Sequence, residues 1–406
     1  MITRYLLLLT LLSGWNTIIA QCLRDATLID YQDNFIGSQV NLTELNWTGS
    51  VMDTICQPGT ISSMAYERTL QRINYYRRLV GLPDSIRWDE VMSDKAQQAA
   101  VMMLANHDLS HDPPKTWKCW TQDGYDAARK SNLAFGTQSS ESIRAYIQDN
   151  GSNNEAVGHR RWILYSRAKS FGMGSTKSTQ ALWVIGPKNP DPEVEFIAYP
   201  SQGFFPKPLV YNRWSFSKPN ANFSQATVKM TDAFHQDIPL KILPVTNGYG
   251  DNTIVWEPEI PLDWQTGPYD EPITVTVSEV KIGGVLREFT YTVQLIPVLG
   301  SQRCRPGLKL DPDLCQCTTE QVTARPAWEQ SIRVYPNPFG ESITVSGIPE
   351  GTFVDVISQE GRLLLRRQLD GSRLDMRLLT NGIYFLRIYG EQATQVVKML
   401  KTSGGR

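Results

Sequence analysis

Gly158-His159-Arg160-Arg161-Trp162-Ile163-Leu164 is the run from which the first folded region is read outward. His159 admits two readings: a ring that orients the Gly158 turn by hydrogen bonding, or a ring that lines a cleft. Upstream the apolar spacing is helical. Leu70, Ile73, Arg77 and Val80 sit on or near one face of a helix that Gly81 and Pro83 close. A second helix, starting from Asp89 or Ser93, carries Ala96, Ala99, Ala100, Met103, Leu104 and His107 at spacings of three and four. Pro113 and Pro114 bar its extension. His107 continues that stripe and reads as a satisfied core histidine. A third helical stretch fits Ser142 to Asp149. Downstream, Phe171 to Val184 reads as glycine-bent turns leading into a strand at Ala181 to Ile185. Helices interleaved with strands predict an α/β layered domain, an α-β-α sandwich, over residues 60–195.

Past Pro187 the prolines become dense and the period changes to two. Ile273, Val275 and Val277 alternate with threonines, Gly283 and Gly284 supply a tight turn, and Phe289, Tyr291 and Val293 return. With Ala226, Val228, Met230, Leu240 and Ile242, residues 200–298 predict an immunoglobulin-like β-sandwich, whose simplest role is to pack against and present the first domain. Residues 299–330, rich in proline, cysteine and polar groups, read as a linker. Over 331–406, short alternating runs at Ile343, Val354, Ile383 and Val396 are separated by Gly361, Gly371 and Gly382, predicting a last β domain. A multidomain chain agrees with 406 residues, too many for one core.

Charge narrows the function classes. With 40 basic and 41 acidic residues and no basic block, nothing neutralises a phosphate backbone, so nucleic acid is not the expected partner. Residues 1–20 read as a signal peptide: Arg4 gives a positive start, Tyr5 to Leu12 an apolar run and Ala20 a small residue before the cut. That run is too short to span a membrane, and no other segment is longer. Residues 21–59 carry few periodic signals and read as an N-terminal extension. Six cysteines in an exported chain point to disulfides. Cys22 with Cys56, and Cys304 with Cys315 or Cys317, are the local pairings; Cys119 has no near partner, and the connectivity stays open. Asn41, Asn46 and Asn222 sit in glycosylation sequons.

Two resemblances sharpen these expectations. Tyr335-Pro336-Asn337-Pro338, Gly361, Asn381-Gly382-Ile383-Tyr384-Phe385 and Val397-Lys398-Met399 resemble, in order, the C-terminal sorting domain of type IX secretion substrates. The resemblance implies a Gram-negative bacterium, recognition of residues 331–406 by the type IX machinery, and a chain released or attached at the outer cell surface. The first domain resembles the CAP superfamily of cysteine-rich secretory, antigen 5 and pathogenesis-related proteins. The matching residues are Ile73-Asn74, Arg77, Leu109-Ser110-His111, Ser131-Asn132-Leu133-Ala134, Gly136, Asn154 and the run from Gly158 to Leu164.

Members of that superfamily place two histidines and one or two acids in a central cleft able to hold a divalent cation. The resemblance puts His111 and His159 at the histidine positions. Ser131 stands where many relatives have glutamate, and Asp149 is the nearest second acid. Neutral imidazoles suit zinc, but two histidines with one carboxylate are a thin ligand set. His107 and His111 are four apart, yet Asp108 follows the first and the glutamate of a His-Glu-x-x-His pair is absent. Cys119, between Trp117 and Trp120, would be oxidised or paired outside the cell and makes a weak nucleophile for a histidine partner. The expectation is therefore a secreted, non-catalytic binding module with a cleft at His111, Ser131, Asp149 and His159, and an extracellular ligand left unidentified. Its rival is a secreted hydrolase, protease-like or cell-wall-acting, using His159 as base in the same cleft with a bound metal or Cys119 assisting.

Overall fold

The computed structural model describes residues 15–52, 55–190, 194–259, 263–298, 309–311, 316–318, 332–348, 352–358, 363–369, 372–389 and 394–402. Two compact units divide the chain: residues 33–302, and residues 1–32 with 303–406. The apolar run at Tyr5–Leu12 and most of the 299–330 stretch lie outside the described residues. No helix among the described residues is long and apolar enough to cross a membrane.

In the larger unit, helices α1 (Ser63–Leu79), α2 (Glu90–Asn106), α3 (Gln122–Ala128), α4 (Ser139–Gln148) and α5 (Gly158–Ile163) flank a four-stranded sheet. Its strands are β1 (Arg87–Trp88), β2 (Ser131–Phe135), β3 (Ser170–Ser175) and β4 (Thr179–Trp183), in the order β1-β3-β4-β2. The N-cap side chains of Ser62 and Asp89 satisfy free backbone N–H groups at the starts of α1 and α2. The Ala96, Ala99, Ala100 and Met103 stripe is fully buried and meets Leu133, Ala181 and Trp183 of the sheet. On the opposite face, the Tyr146 hydroxyl of α4 donates to Asn132 O of β2 at 3.1 Å.

Three expectations are corrected. Residues 170–175 form a strand, not turns, and the glycines serve packing. A Cβ on Gly172 or Gly174 would lie 2.4 or 2.1 Å from the backbone of α2, so only glycine lets helix and strand approach this closely. His107 is exposed, not core: α2 ends at Asn106 and His107 caps it at φ 51°, with its ring 6.3 Å from that of Phe135. Cys119 forms a disulfide with Cys56, 63 residues away, and not Cys22 with Cys56. The side chains of Cys22, Cys304, Cys315 and Cys317 lie outside the described residues. The first residues of the N-terminal extension belong to the smaller unit, while residues 33–59 of it are integral to this one. Its capped helix Leu42–Leu45 and the hairpin Ser50–Met52 with Ile55–Gln57 lead to a buried Arg72, whose Nε donates to Ser38 at 2.7 Å.

The β-sandwich packs two sheets. One contains β5 (Ile197–Tyr199), β7 (Trp214–Ser217), β10 (Leu240–Ile242) and β11 (Thr253–Pro258); the other contains β6 (Gly203–Pro206), β8 (Ala221–Asn222), β9 (Thr227–Thr231), β12 (Glu271–Ile282) and β13 (Val285–Ile296). The alternation around Gly283-Gly284 forms the long β12–β13 hairpin, pairing Ile273 with Val293 and Val277 with Phe289. Phe216 and Phe289 meet between the sheets at 5.2 Å, beside buried Trp214 and Trp256.

The C-terminal β domain of the smaller unit has sheets β14 (Arg333–Tyr335), β15 (Ser342–Ser346) and β18 (Arg373–Asp375), and β16 (Phe353–Ser358), β17 (Leu363–Gln368), β19 (Gly382–Tyr389) and β20 (Thr394–Lys401). They enclose Phe339, Val345, Val356, Leu386 and Met399. The Tyr-Pro-Asn-Pro run has a structural cause here. The Asn337 side chain donates to Lys398 O and accepts from Leu400 N, both at 2.9 Å, so it takes a strand's place beside β20 where the flanking prolines cannot donate.

Candidate functional site

Helix α4 stops at Gln148, and Asp149 turns the chain in the left-handed region at φ 55°. Its carboxylate is buried, at 1% exposure, so its lone pairs need donors. Three supply them. His159 Nδ1 donates to Oδ1 at 2.7 Å, and the backbone N–H groups of His159 and Arg160 donate to Oδ2 at 2.9 and 3.3 Å. These two amides open α5, where no carbonyl of the helix can satisfy them. A carboxylate on Nδ1 holds the proton there, leaving Nε2 as the acceptor. The ring lies 5.4 Å from that of Tyr146 and stays 24% exposed, and among the described residues Nε2 meets no protein partner. This is an oriented, solvent-reachable base backed by a buried acid.

The β-sandwich supplies the back wall. Arg213 Nη1 donates to Asp149 O at 2.9 Å while its Nε pairs with Glu257 at 2.9 Å. Arg160, fully buried, reaches Ile147 O at 2.7 Å, Arg213 O at 2.8 Å and Ser215 Oγ at 3.2 Å. Arg161 donates to Thr246 O and Asp251 O, and burial lowers its pKa to about 10. Tyr249 packs on the turn before His159: a Cβ on Gly158 would sit 2.9 Å from its ring. Thus a larger residue at 158 would have to push aside a side chain from the second domain.

The other expected residues lie elsewhere on the sheet. His111 is exposed in the loop after α2, with Nδ1 2.8 Å from Ala128 O at the end of α3. Ser131 opens β2, buried, and its Oγ has no partner among the described residues. Strand alternation puts Ser131 on the face that Leu133 presents to α2, whereas Asn132, on the other face, donates to His159 O at 3.0 Å. The structure therefore joins Asp149 to His159 directly and sets His111 and Ser131 near α3. Among the described residues no group of three His, Cys, Asp or Glu side chains could hold a metal ion.

Sequence reasoning missed Arg213, Tyr249 and Tyr146. Asn132 was visible within the Ser-Asn-Leu-Ala run, but the two sandwich residues lie 54 and 90 positions after His159 and carry no local signal.

Residues 70–185 match the model of the cysteine-rich secretory protein (CAP) family, and residues 333–402 match the secretion system C-terminal sorting domain. No curated protein matches the chain. Among solved structures, PorZ, a surface component of the type IX secretion system of Porphyromonas gingivalis, is 17% identical over 20% of this chain and 13% of its own, with a TM-score of 0.18. Dimeric latent PorU of the same bacterium is 12% identical over 47% of this chain and 18% of its own, at 0.15. The periplasmic chaperone SfaE is 8% identical over 49% of this chain and 94% of its own, at 0.16.

Proposed function

We propose, from the premise that this secreted, cell-surface chain joins a CAP domain to a type IX sorting domain, that it is a binding module whose recognition centre is the His159 imidazole. The observation carrying this reading is the Asp149–His159 contact: a buried acid fixes the ring and its tautomer, while its outer edge stays open. An acceptor held in this way recognises a hydroxyl or amide donor at little entropic cost. His111 is the proposed far rim of the same cleft, whereas Ser131, buried on the α2 face of the sheet, is left out of it.

A divalent cation does not fit the residues present. The Asp149 carboxylate is committed to three N–H donors, His159 Nδ1 to Asp149, and His111 Nδ1 to Ala128 O. A cation would meet two imidazole edges, with Ser131 where relatives offer glutamate. No step is routed through a metal.

The hydrolase reading draws on the same dyad, since an aspartate-backed imidazole is also the arrangement of a general base. Its proposed assistant is gone. Cys119 is half of a disulfide and has no thiolate to activate. The test is cosedimentation of the mature chain with peptidoglycan sacculi, with soluble products followed by mass spectrometry. We expect His159→Ala to weaken binding at least tenfold without products in either case. Unchanged binding by His159→Ala would remove His159 from recognition; products lost in that variant would establish the hydrolase instead.

A further inference from the structure

A second concavity lies away from His159, between the N-terminal extension and the start of α2. Its volume is about 590 Å³, within the range of small-ligand sites. Pro58 to Ile61 form one wall, Tyr66 and Trp88 the floor, and Glu90, Asp94 and Gln98 the other wall. The last three recur every four residues, so they share one face of α2.

The site is rigid. Trp47 Nε1 and Gln97 Nε2 both donate to Pro58 O, at 2.8 and 3.0 Å, and Thr60 N donates to Thr48 Oγ1 at 2.9 Å. The polar ends of both floor aromatics are tied inward: Trp88 Nε1 donates to Tyr66 O at 3.0 Å, and the Tyr66 hydroxyl to Met173 O at 3.2 Å. The rings meet edge to face at 6.0 Å and stay half-buried, so what they offer a ligand is π surface, not hydrogen bonds.

Charge selects the ligand. The lining holds two exposed carboxylates and no lysine or arginine, and neither Glu90 nor Asp94 is ion-paired among the described residues. The nearest cation on α2, Lys95, is paired with Asp123 at 2.7 Å. Aromatic faces beside unpaired carboxylates attract an organic cation twice over, through the ring quadrupole and through charge. The geometry points to a binding site for a lysine or arginine side chain of an extended peptide, its cation between Glu90 and Asp94 and its methylene stem against Trp88. Pro58 to Ile61 run alongside as the backbone wall.

The test is NMR titration of the mature chain, following the Trp88 indole N–H, assigned with Trp88→Phe. The probes are acetyl-Gly-Lys-Gly-Arg-Gly-amide, the same peptide with glutamates for both cations, spermidine, and an N-acetylglucosamine tetramer. We expect saturation by the basic peptide alone, weakened about threefold to fivefold by either Glu90→Gln or Asp94→Asn and further by added salt. His159→Ala, remote from this groove, leaves the titration unchanged. Equal response to the acidic peptide or the sugar, tighter binding of spermidine than of the peptide, no response to the basic peptide at millimolar concentration, or indifference to both carboxylate variants would each overturn the proposal.

Discussion

The two ends of the α/β layer are held by different physics. At the α5 end, Arg160 and Arg161 are 1% and 4% exposed, and their guanidinium groups are spent on carbonyls of Ile147, Arg213, Thr246 and Asp251. At the α3 end, Arg129 and Asp112 pair at 3.3 Å with most of each side chain in water, and His111 has one hydrogen bond to the protein. The first end is fixed by groups that cannot fall back on solvent; the second exchanges its contacts with water at little cost. In the proposed cleft, His159 is therefore the invariant point and the His111 rim the adaptable one. The β-sandwich is more than a support, since it contributes Arg213 and Tyr249 to the rigid end.

The contrast is broken most directly at Arg160. Arg160→Leu removes the guanidinium and strands the acceptors of Ile147, Arg213 and Ser215 in or beside the interior, so we expect a loss of about 3–5 kcal/mol in urea unfolding. Arg129→Leu, at the other end, is expected to leave the urea midpoint essentially unchanged. Similar costs for the two would mean that the ends do not differ in kind.

The disulfide sharpens the comparison, because it is what restrains the loop of the adaptable end. Cys56 and Cys119 close a loop with a sequence separation of 63, for which chain entropy alone predicts about 4 kcal/mol. Measured losses usually fall below that figure, so the Cys56→Ala, Cys119→Ala pair is expected to lose about 2–4 kcal/mol. Amide exchange should then accelerate across residues 107–121 and not across α5. Acceleration at α5 instead would show that the two ends are coupled.

What the sequence disclosed follows the same division. Local periodicity located the buried stripe of α2 and the β12–β13 hairpin, because helix and strand repeats are properties of neighbours in the chain. The Asn337 motif was legible as a pattern, but its cause, a side chain bonded to Lys398 and Leu400 from 61 and 63 positions away, was not. Where partners are distant, reading failed. The partner of Cys119 could not be inferred from spacing, and the Gly172 and Gly174 strand resembled turns because only the presence of α2 explains those glycines. His107 fitted the stripe by count, but one residue past a helix end the period no longer applies. Asp149 was picked out for its charge, whereas its work depends on a turn and two amides that no pattern announces.

The smallest expected effect is at His111. Its ring bonds to Ala128 O at the C-terminal end of α3, and the side chain stands in solvent, so water can reach the carbonyl from the side the ring vacates. His111→Ala should therefore change unfolding free energy by less than about 0.5 kcal/mol, whereas truncating a buried, bonded group strands its partner. The informative readout is the His159 ring itself. If the α5 end is independent, the Nδ1–H resonance of His159 in the hydrogen bond to Asp149 keeps its position in His111→Ala, and sacculus binding falls less than in His159→Ala. A displaced resonance would mean that the rim and the fixed base form one network, and the division between the two ends would have to be drawn elsewhere.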